Sequence, residues 1–258
     1  PHPMALLLYA LQKTVFSVRK APMNLEVFEN RKADHLRLSL HAENEAEGKT
    51  GFHSIHLLHE ALPELNFASI DNSTKFWDYQ AASPCFISSM TAGNHKGEAL
   101  NVLLGKVAGE KNWPMGVGSQ RRELSDPSAV QEWKRVRQSA PKTCLFSNIG
   151  LTQLIASPLK NILQLVENLA ASALIVHTNP LQEALQPEGT PNFSGGLQAL
   201  SKLCKASPVP VILKETGCGF SPKTLARLQE CGLAAIDVSG FGGTHWGRIE
   251  GARAAENS

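Results

Sequence analysis

Charge of one sign is the first thing this chain of 258 residues lacks: 25 Lys and Arg stand against 23 Asp and Glu, a formal net charge of +2. That balance excludes a polybasic clamp for nucleic acid and an acidic tail. Long apolar runs are missing too. The longest near the start, residues 5–11, falls far short of the roughly 20 residues that cross a bilayer. No C-x-x-C pair occurs among the five cysteines, Cys85, Cys144, Cys204, Cys218 and Cys231, which argues against a zinc ribbon, and their odd number and wide spacing argue against a disulfide framework. Free Cys beside apolar residues behaves as a small hydrophobe, and the compartment reads as reducing.

What is present suits a globular core: 42% of residues are hydrophobic and 19% charged, too little charge density for a disordered chain. The length matches the roughly 250 residues of one α/β barrel domain. Residues 1–23 carry Lys13, Arg19 and Lys20 without an acid and read as a leader or extension. Residues 24–258 form the expected folded domain.

From Pro84 onward, short apolar runs alternate with longer helical patterns, the mark of repeated βα units. The runs are 85–90, 115–118, 144–149, 173–178, 210–215 and 234–239, with starts 30, 29, 29, 37 and 24 residues apart. One strand plus one crossover helix has about that length. Continuous apolar strands are those buried on both faces of a parallel sheet, and each run ends in small or polar residues, where such folds place their chemistry. A doubly wound sheet should open with a Gly-rich fingerprint; Ser-Ser-Met-Thr-Ala-Gly after the first run lacks that spacing. The expected fold is therefore α/β, a TIM (β/α)8-type barrel. Six runs against the eight strands of a closed barrel predict that the last two βα units, roughly 60 residues, are missing from it.

Several segments carry candidate chemistry. Arg31 and Lys32 with His35 concentrate positive or switchable charge suited to a diphosphate, and a solvated helix start is the plainer alternative. His53, His56 and His59 are spaced as one helical face, yet no carboxylate or Cys stands at a metal-ligand offset. Gln182 and Glu183 pair an amide with a carboxylate after the fourth run, one for neutral hydrogen bonds and one for a hard cation. Lys214 ends the buried fifth run, where an ammonium needs an anion or acceptor or serves to tune a cofactor ring. Gly217, Gly219, Gly242 and Gly243 let backbone approach a flat ring or phosphate.

Together these segments resemble the type 2, flavin-dependent isopentenyl diphosphate isomerases. The resemblance runs from about Asn30 to Glu250 through Arg-Lys-Ala-Asp-His, Ser-Ser-Met-Thr-Ala-Gly, Gly-Val-Gly-Ser-Gln-Arg, Ser-Asn-Ile-Gly, His-Thr-Asn-Pro-Leu-Gln-Glu, Leu-Lys-Glu-Thr-Gly-Cys-Gly-Phe-Ser and Ser-Gly-Phe-Gly-Gly-Thr-His-Trp, in that order. It implies a cytoplasmic, FMN-bound barrel of isoprenoid biosynthesis that interconverts isopentenyl and dimethylallyl diphosphate with Mg²⁺. NADPH would serve only to reduce the flavin, and a homo-oligomer is expected. By position it implies substrate contacts at Arg31, Lys32, Ser119, Gln120, Arg121 and Gln182. The flavin positions are Ser89, Met90, Thr91, Ser119, Asn148, Lys214, Ser239 and Thr244, and the Mg²⁺ ligand is Glu183. His35, His177 and Trp246 fall in the same motifs as supporting residues.

Two departures stand out. Ala92 and Asn94 make the first turn bulkier than the family's Met-Thr-Gly-Gly, and the Gly-Gly-Ile and Ala-Leu-Gly-Ala type segments that hold the FMN phosphate are not in the sequence. A chain ending at Ser258 would bind the cofactor far more weakly. Two alternatives remain, an inactive barrel scaffold and another FMN barrel such as a hydroxy-acid oxidase, which would need a His/Arg pair for its carboxylate substrate.

Overall fold

The computed structural model describes residues 25–256 apart from 49, 91 and 94, so the leader and Thr91 lie outside the described residues. Helix α1 (Leu25–Leu38) leads into an irregular stretch, then a hairpin of β1 (Thr74–Phe76) and β2 (Tyr79–Ala81). There follow α2 (His95–Lys111), β3 (Met115–Gly116), α3 (Val130–Ser139), β4 (Leu145–Gly150), α4 (Leu151–Ala156), α5 (Leu159–Leu169) and β5 (Ala173–Thr178). The chain continues through α6 (Pro180–Leu185), α7 (Gly196–Ala206), β6 (Val211–Glu215), α8 (Pro222–Leu228), β7 (Ala235–Asp237) and α9 (Trp246–Glu256).

Strands β3 to β7 form one parallel sheet in sequential order. A doubly wound sheet would reverse that order; this one winds in a single direction, as a barrel wall does. The two faces differ as a barrel's do. Outward residues Leu145, Ile149, Leu174, Val176, Val211 and Leu213 share a core with helical residues, among them Trp133, Ile162, Leu165, Leu200, Leu203 and Leu228. Inward residues Phe146, Ala173, Ile175 and Ile212 pack with no helix, against Phe76 and Tyr79 of the hairpin. Helices on one face and a hairpin plug beneath the other identify a partial α/β barrel.

Local sequence explains the elements. In α5, Ile162, Leu165, Val166 and Leu169 are buried at helical spacing, which lays one apolar stripe on the sheet. α8 opens on Ser221, whose side chain accepts the Thr224 N–H, followed by Pro222, the residue pair that starts helices best. The first apolar run departs from expectation. It contributes a single parallel bridge, Ile87 to Met115, because its residues are half exposed at the sheet edge and nothing described pairs along its far side.

Candidate active site

Parallel register sets Gly150, His177, Lys214 and Asp237 side by side in one row. Paired residues of neighbouring strands share a face, so this row crowns the inner face at the carboxyl ends of β4 to β7. Above it opens a cleft of about 1180 Å³, space open to solvent included, lined by the loops that follow each strand and by α1.

One side of the cleft is cationic. Arg31, Lys32 and Arg121 line it together. Burial lowers the Lys32 ammonium to about 7, with Arg31 and Arg121 adding repulsion, and burial likewise lowers Arg31 to about 10. Burial and mutual repulsion disfavour the charged forms of Arg31 and Lys32 against the pull of Glu250, so a bound anion would stabilise them. Arg121 makes no ion pair with a described residue.

Beneath this arm lies Glu250 on α9, fully buried. Its Oε1 meets His35 Nε2 at 2.8 Å and Gln182 Nε2 at 2.9 Å, and its Oε2 meets Arg253 Nη1 at 2.7 Å. With its amide oriented to suit, Gln186 bridges the Glu250 Oε1 and Arg31 Nη1. Burial alone would raise the Glu250 carboxyl, but these donors hold it below the usual carboxylate range. Burial keeps His35 neutral, so its Nε2–H donates to Glu250, and its ring stands edge-on to Trp246 at 5.3 Å between centroids.

The other side is polar, and the one cation described there, Lys214, is ion-paired. Asn148 Nδ2 donates to the Val117 carbonyl at 3.0 Å, which turns its Oδ1 toward His177 Nδ1 at 2.8 Å. His177 therefore carries its proton on Nδ1 and leaves Nε2 as a bare acceptor. Burial, helped by Lys32, Lys214 and Arg121, lowers that imidazole to about 3. Lys214 is met by Asp237 Oδ2 at 2.7 Å. Glu215 next to it gathers the backbone N–H groups of Gly217, Cys218 and Gly219 on one oxygen, which shapes the loop facing the cleft. The Ser89 Oγ is buried with no hydrogen-bond partner, and a Cβ on Gly116 would run into it.

These groups fit a flat heterocycle with a hydrogen-bonding rim: hydroxyls of Ser88, Ser89, Ser119, Thr216 and Ser239, the Asn148 amide and the Lys214 ammonium. The metal fit is narrower. Among the described residues no three His, Cys, Asp or Glu gather to hold an ion. Glu183, 5% exposed, accepts Thr190 N–H on Oε2 at 2.8 Å and Asn179 Nδ2 on Oε1 at 3.4 Å. A hard cation there would take its other ligands from water and a bound phosphate. Gly189 makes this turn feasible, since a Cβ would collide with the Glu183 carbonyl.

The cleft brings together Arg31, Lys32, His35, Ser89, Met90, Ser119, Arg121, Asn148, His177, Gln182, Glu183, Lys214, Ser239, Thr244 and Trp246. Gln120 does not join them and is corrected: fully buried, it donates to the Leu165 carbonyl and accepts from Ser147 Oγ and Asn148 N, so it braces the cleft from behind. The helical face suggested by the histidine spacing is corrected as well. His53 sits in a single 3-10 turn, His56 and His59 lie in irregular chain, and all three are exposed. The sequence reading missed Glu250, Asp237, Asn179 and Gln186. Glu250 had one signal, its place four residues after Trp246, which puts both on one helical face.

No protein-family model matches the chain. The Bdellovibrio bacteriovorus protein named isopentenyl-diphosphate delta-isomerase is 53% identical over 234 residues, 89% of this chain and 67% of its own length. The Legionella pneumophila (strain Paris) protein of that name is 51% identical over 227 residues, 88% of this chain and 66% of its own. The Methanoregula boonei one is 42% identical over 226 residues, 87% and 62%. The chain spans about two thirds of the length of these relatives. Among solved structures, mandelate oxidase with (S)-4-hydroxymandelic acid superposes with a TM-score of 0.45 at 11% identity, covering 82% of this chain and 68% of that one.

Proposed function

The chain belongs to the isopentenyl-diphosphate delta-isomerase family, and from that premise we propose that its cleft binds reduced FMN and Mg²⁺ and interconverts isopentenyl and dimethylallyl diphosphate, with NADPH as the reductant of the flavin. The observation that carries this reading is the division of one cleft into a cationic arm, Arg31, Lys32 and Arg121, and a hydrogen-bonding wall around Ser89, Asn148 and Lys214, the last ion-paired with Asp237. A diphosphate suits the first and a flavin ring the second.

Moving a carbon–carbon double bond requires a proton added at one carbon and another removed elsewhere. When bound, reduced FMN supplies that proton exchange. The residues of the chain bind and orient. Arg31, Lys32 and Arg121 neutralise the diphosphate, and Glu183 would hold Mg²⁺ against it, anchoring the substrate away from the reacting carbons. Gln182, fixed by Asn179 and Glu250, presents its amide at a set angle. His177 is neutral and offers an acceptor at Nε2. Trp246 and Met90 give the hydrocarbon end apolar surface and keep water from a weakly basic alkene.

A cytoplasmic setting is part of the proposal, supported by five unpaired cysteines; no described helix is long and apolar enough to cross a membrane. The test is an anaerobic assay with reduced FMN, Mg²⁺ and isopentenyl diphosphate. Dimethylallyl diphosphate should accumulate to an equilibrium mixture. Absence of product with flavin demonstrably bound would refute the activity.

A further inference from the structure

Parallel strands bond in evenly spaced rungs, each residue that faces the partner strand giving its N–H to one residue there and taking the N–H two places further on. Strands β3 and β4 begin this way: Met115 N donates to the Cys144 carbonyl and Val117 N to the Phe146 carbonyl, both at 3.0 Å. The next rung would carry the Asn148 N–H to the Val117 carbonyl, and it is replaced. Asn148 N donates instead to Gln120 Oε1 at 3.2 Å, while the Val117 carbonyl accepts the Asn148 side-chain Nδ2 at 3.0 Å. A carboxamide has the hydrogen-bonding groups of a peptide unit, so Gln120 stands in for backbone where the ladder stops. Its capacity is fully used. Oε1 also accepts Ser147 Oγ, and Nε2 donates to the Leu165 carbonyl of α5 and to Glu123 Oε2, each at 3.1 Å. Asn168 of α5 holds the other Glu123 oxygen. A fully buried amide with every donor and acceptor engaged keeps one orientation.

We propose that Gln120 is a positioning residue: by occupying the rung that would close β3 on β4, it draws the Asn148 side chain into the gap and so fixes His177 with its proton on Nδ1 and Nε2 open to the ligand. This rests on the isomerase reading of the cleft given above. With Nδ2 committed to Val117, the Asn148 amide presents Oδ1 to His177 Nδ1 at 2.8 Å. Had the ladder closed, Nδ2 would lose that carbonyl and the amide would be free to turn over. The neutral imidazole would then carry its proton on either nitrogen, meeting the same ligand atom as a donor in part of the molecules. Gln120 therefore acts on the cleft through Asn148, from the side of β4 away from it.

The test records the ring-nitrogen resonances of isotope-labelled histidine in the whole chain without ligand, with His177 assigned through His177→Gln. The parent should show one neutral tautomer, protonated on Nδ1. Gln120→Leu keeps the volume and removes the acceptor. Loss of that hydrogen bond should lower the Nδ1–H form against the Nε2–H form by roughly 3–10-fold. Gln120→Glu combined with Glu123→Gln still accepts the Asn148 N–H and reverses the bond between the two side chains, so it should return the parent's ring signals. Where the parent converts isopentenyl diphosphate, turnover should fall in the Leu variant and recover in the double variant. A Leu variant with the parent's ring signals, a double variant without them, or turnover that does not follow them would overturn the proposal. Should the Leu variant fail to fold, the parent decides: coupling across the hydrogen bond from Asn148 N should lead to the side-chain carbonyl carbon of Gln120, and coupling to the Val117 carbonyl would overturn the proposal equally. A parent inactive in the anaerobic assay would refute the isomerase reading, whereas the ring signals still report whether Gln120 sets the His177 tautomer.

Discussion

Lys32 shares a partly buried rim with Arg31 and Arg121, and its ammonium is lowered to about 7 by burial first and by those two guanidiniums next. Free of ligand it is charged below pH 7 and neutral above. A bound diphosphate favours the charged form and raises its pKa, so anion affinity should be greatest below pH 7 and decline as pH rises through it. Near pH 7 binding should take up part of a proton. Calorimetric titration with inorganic diphosphate in buffers of unequal ionisation heat measures that uptake, and Lys32→Arg, charged at every accessible pH, should remove it. Unchanged uptake in that variant would move the proton elsewhere. At Glu183, the Gln substitution should leave FMN binding intact and raise the Mg²⁺ needed for half-maximal turnover by roughly 10–100-fold; an unchanged Mg²⁺ dependence would count against it as the ligand. Lys214→Ala strands its partner Asp237, so flavin retention should fall and unfolding free energy drop by about 1–3 kcal/mol. Adding Asp237→Asn should recover stability in denaturant titration and leave flavin binding weak.

Among the elements, α1 and α9 depend on each other through one carboxylate. Glu250 gathers His35 from α1, Gln182 from α6 and Arg253 from its own helix, and Arg253 continues to Glu188 at 3.0 Å. Removing a buried partner leaves charge uncompensated at a cost of about 3–5 kcal/mol. Glu250→Ala should therefore destabilise by that order and speed amide exchange along α1. Because the folded carboxyl is held below its ordinary range, its contribution is complete above the unfolded value of about 4.3 and is lost as pH falls below it; Glu250→Gln should flatten that acid limb. This contact was illegible in the sequence, since His35 and Glu250 stand 215 residues apart and only the curl of the sheet brings α9 back to α1. What was legible follows from periodicity. Five of the six apolar runs became strands in the expected order, and their polar ends converged because a parallel sheet sends every strand terminus to the same rim. Gln120 misled because motif order says nothing of facing: the 3-10 turn at residues 120–124 buries it between β4 and α5, behind the cleft. The histidine spacing misled because the segment never becomes an α-helix, so spacing of three aligns nothing.

At the scale of the whole molecule, the surface is uneven. Every residue from 51 to 73 is exposed, and among them Phe52, Leu57, Leu58, Leu62 and Phe67 are large and apolar, Leu58 at 98% exposure. Hydrogen bonds within the segment close locally, as from Leu62 N to Glu60 and from Ala68 N to Asn66, so its shape is set by short turns and its side chains have nothing described beneath them. Soluble monomers rarely expose contiguous apolar patches beyond a few hundred Å², and burying one such side chain is worth about 1.5–3 kcal/mol. A second copy of the chain offers the same apolar segment, and pairing two of them would remove several large side chains from water at once. Sedimentation velocity should therefore show association that grows with concentration. Replacing Leu57 and Leu58 with Ser should shift the chain toward the monomer while leaving FMN binding unchanged, because neither residue lines the cleft. A double variant that associates as strongly as its parent would place the contact on another surface and leave the exposed segment without that role.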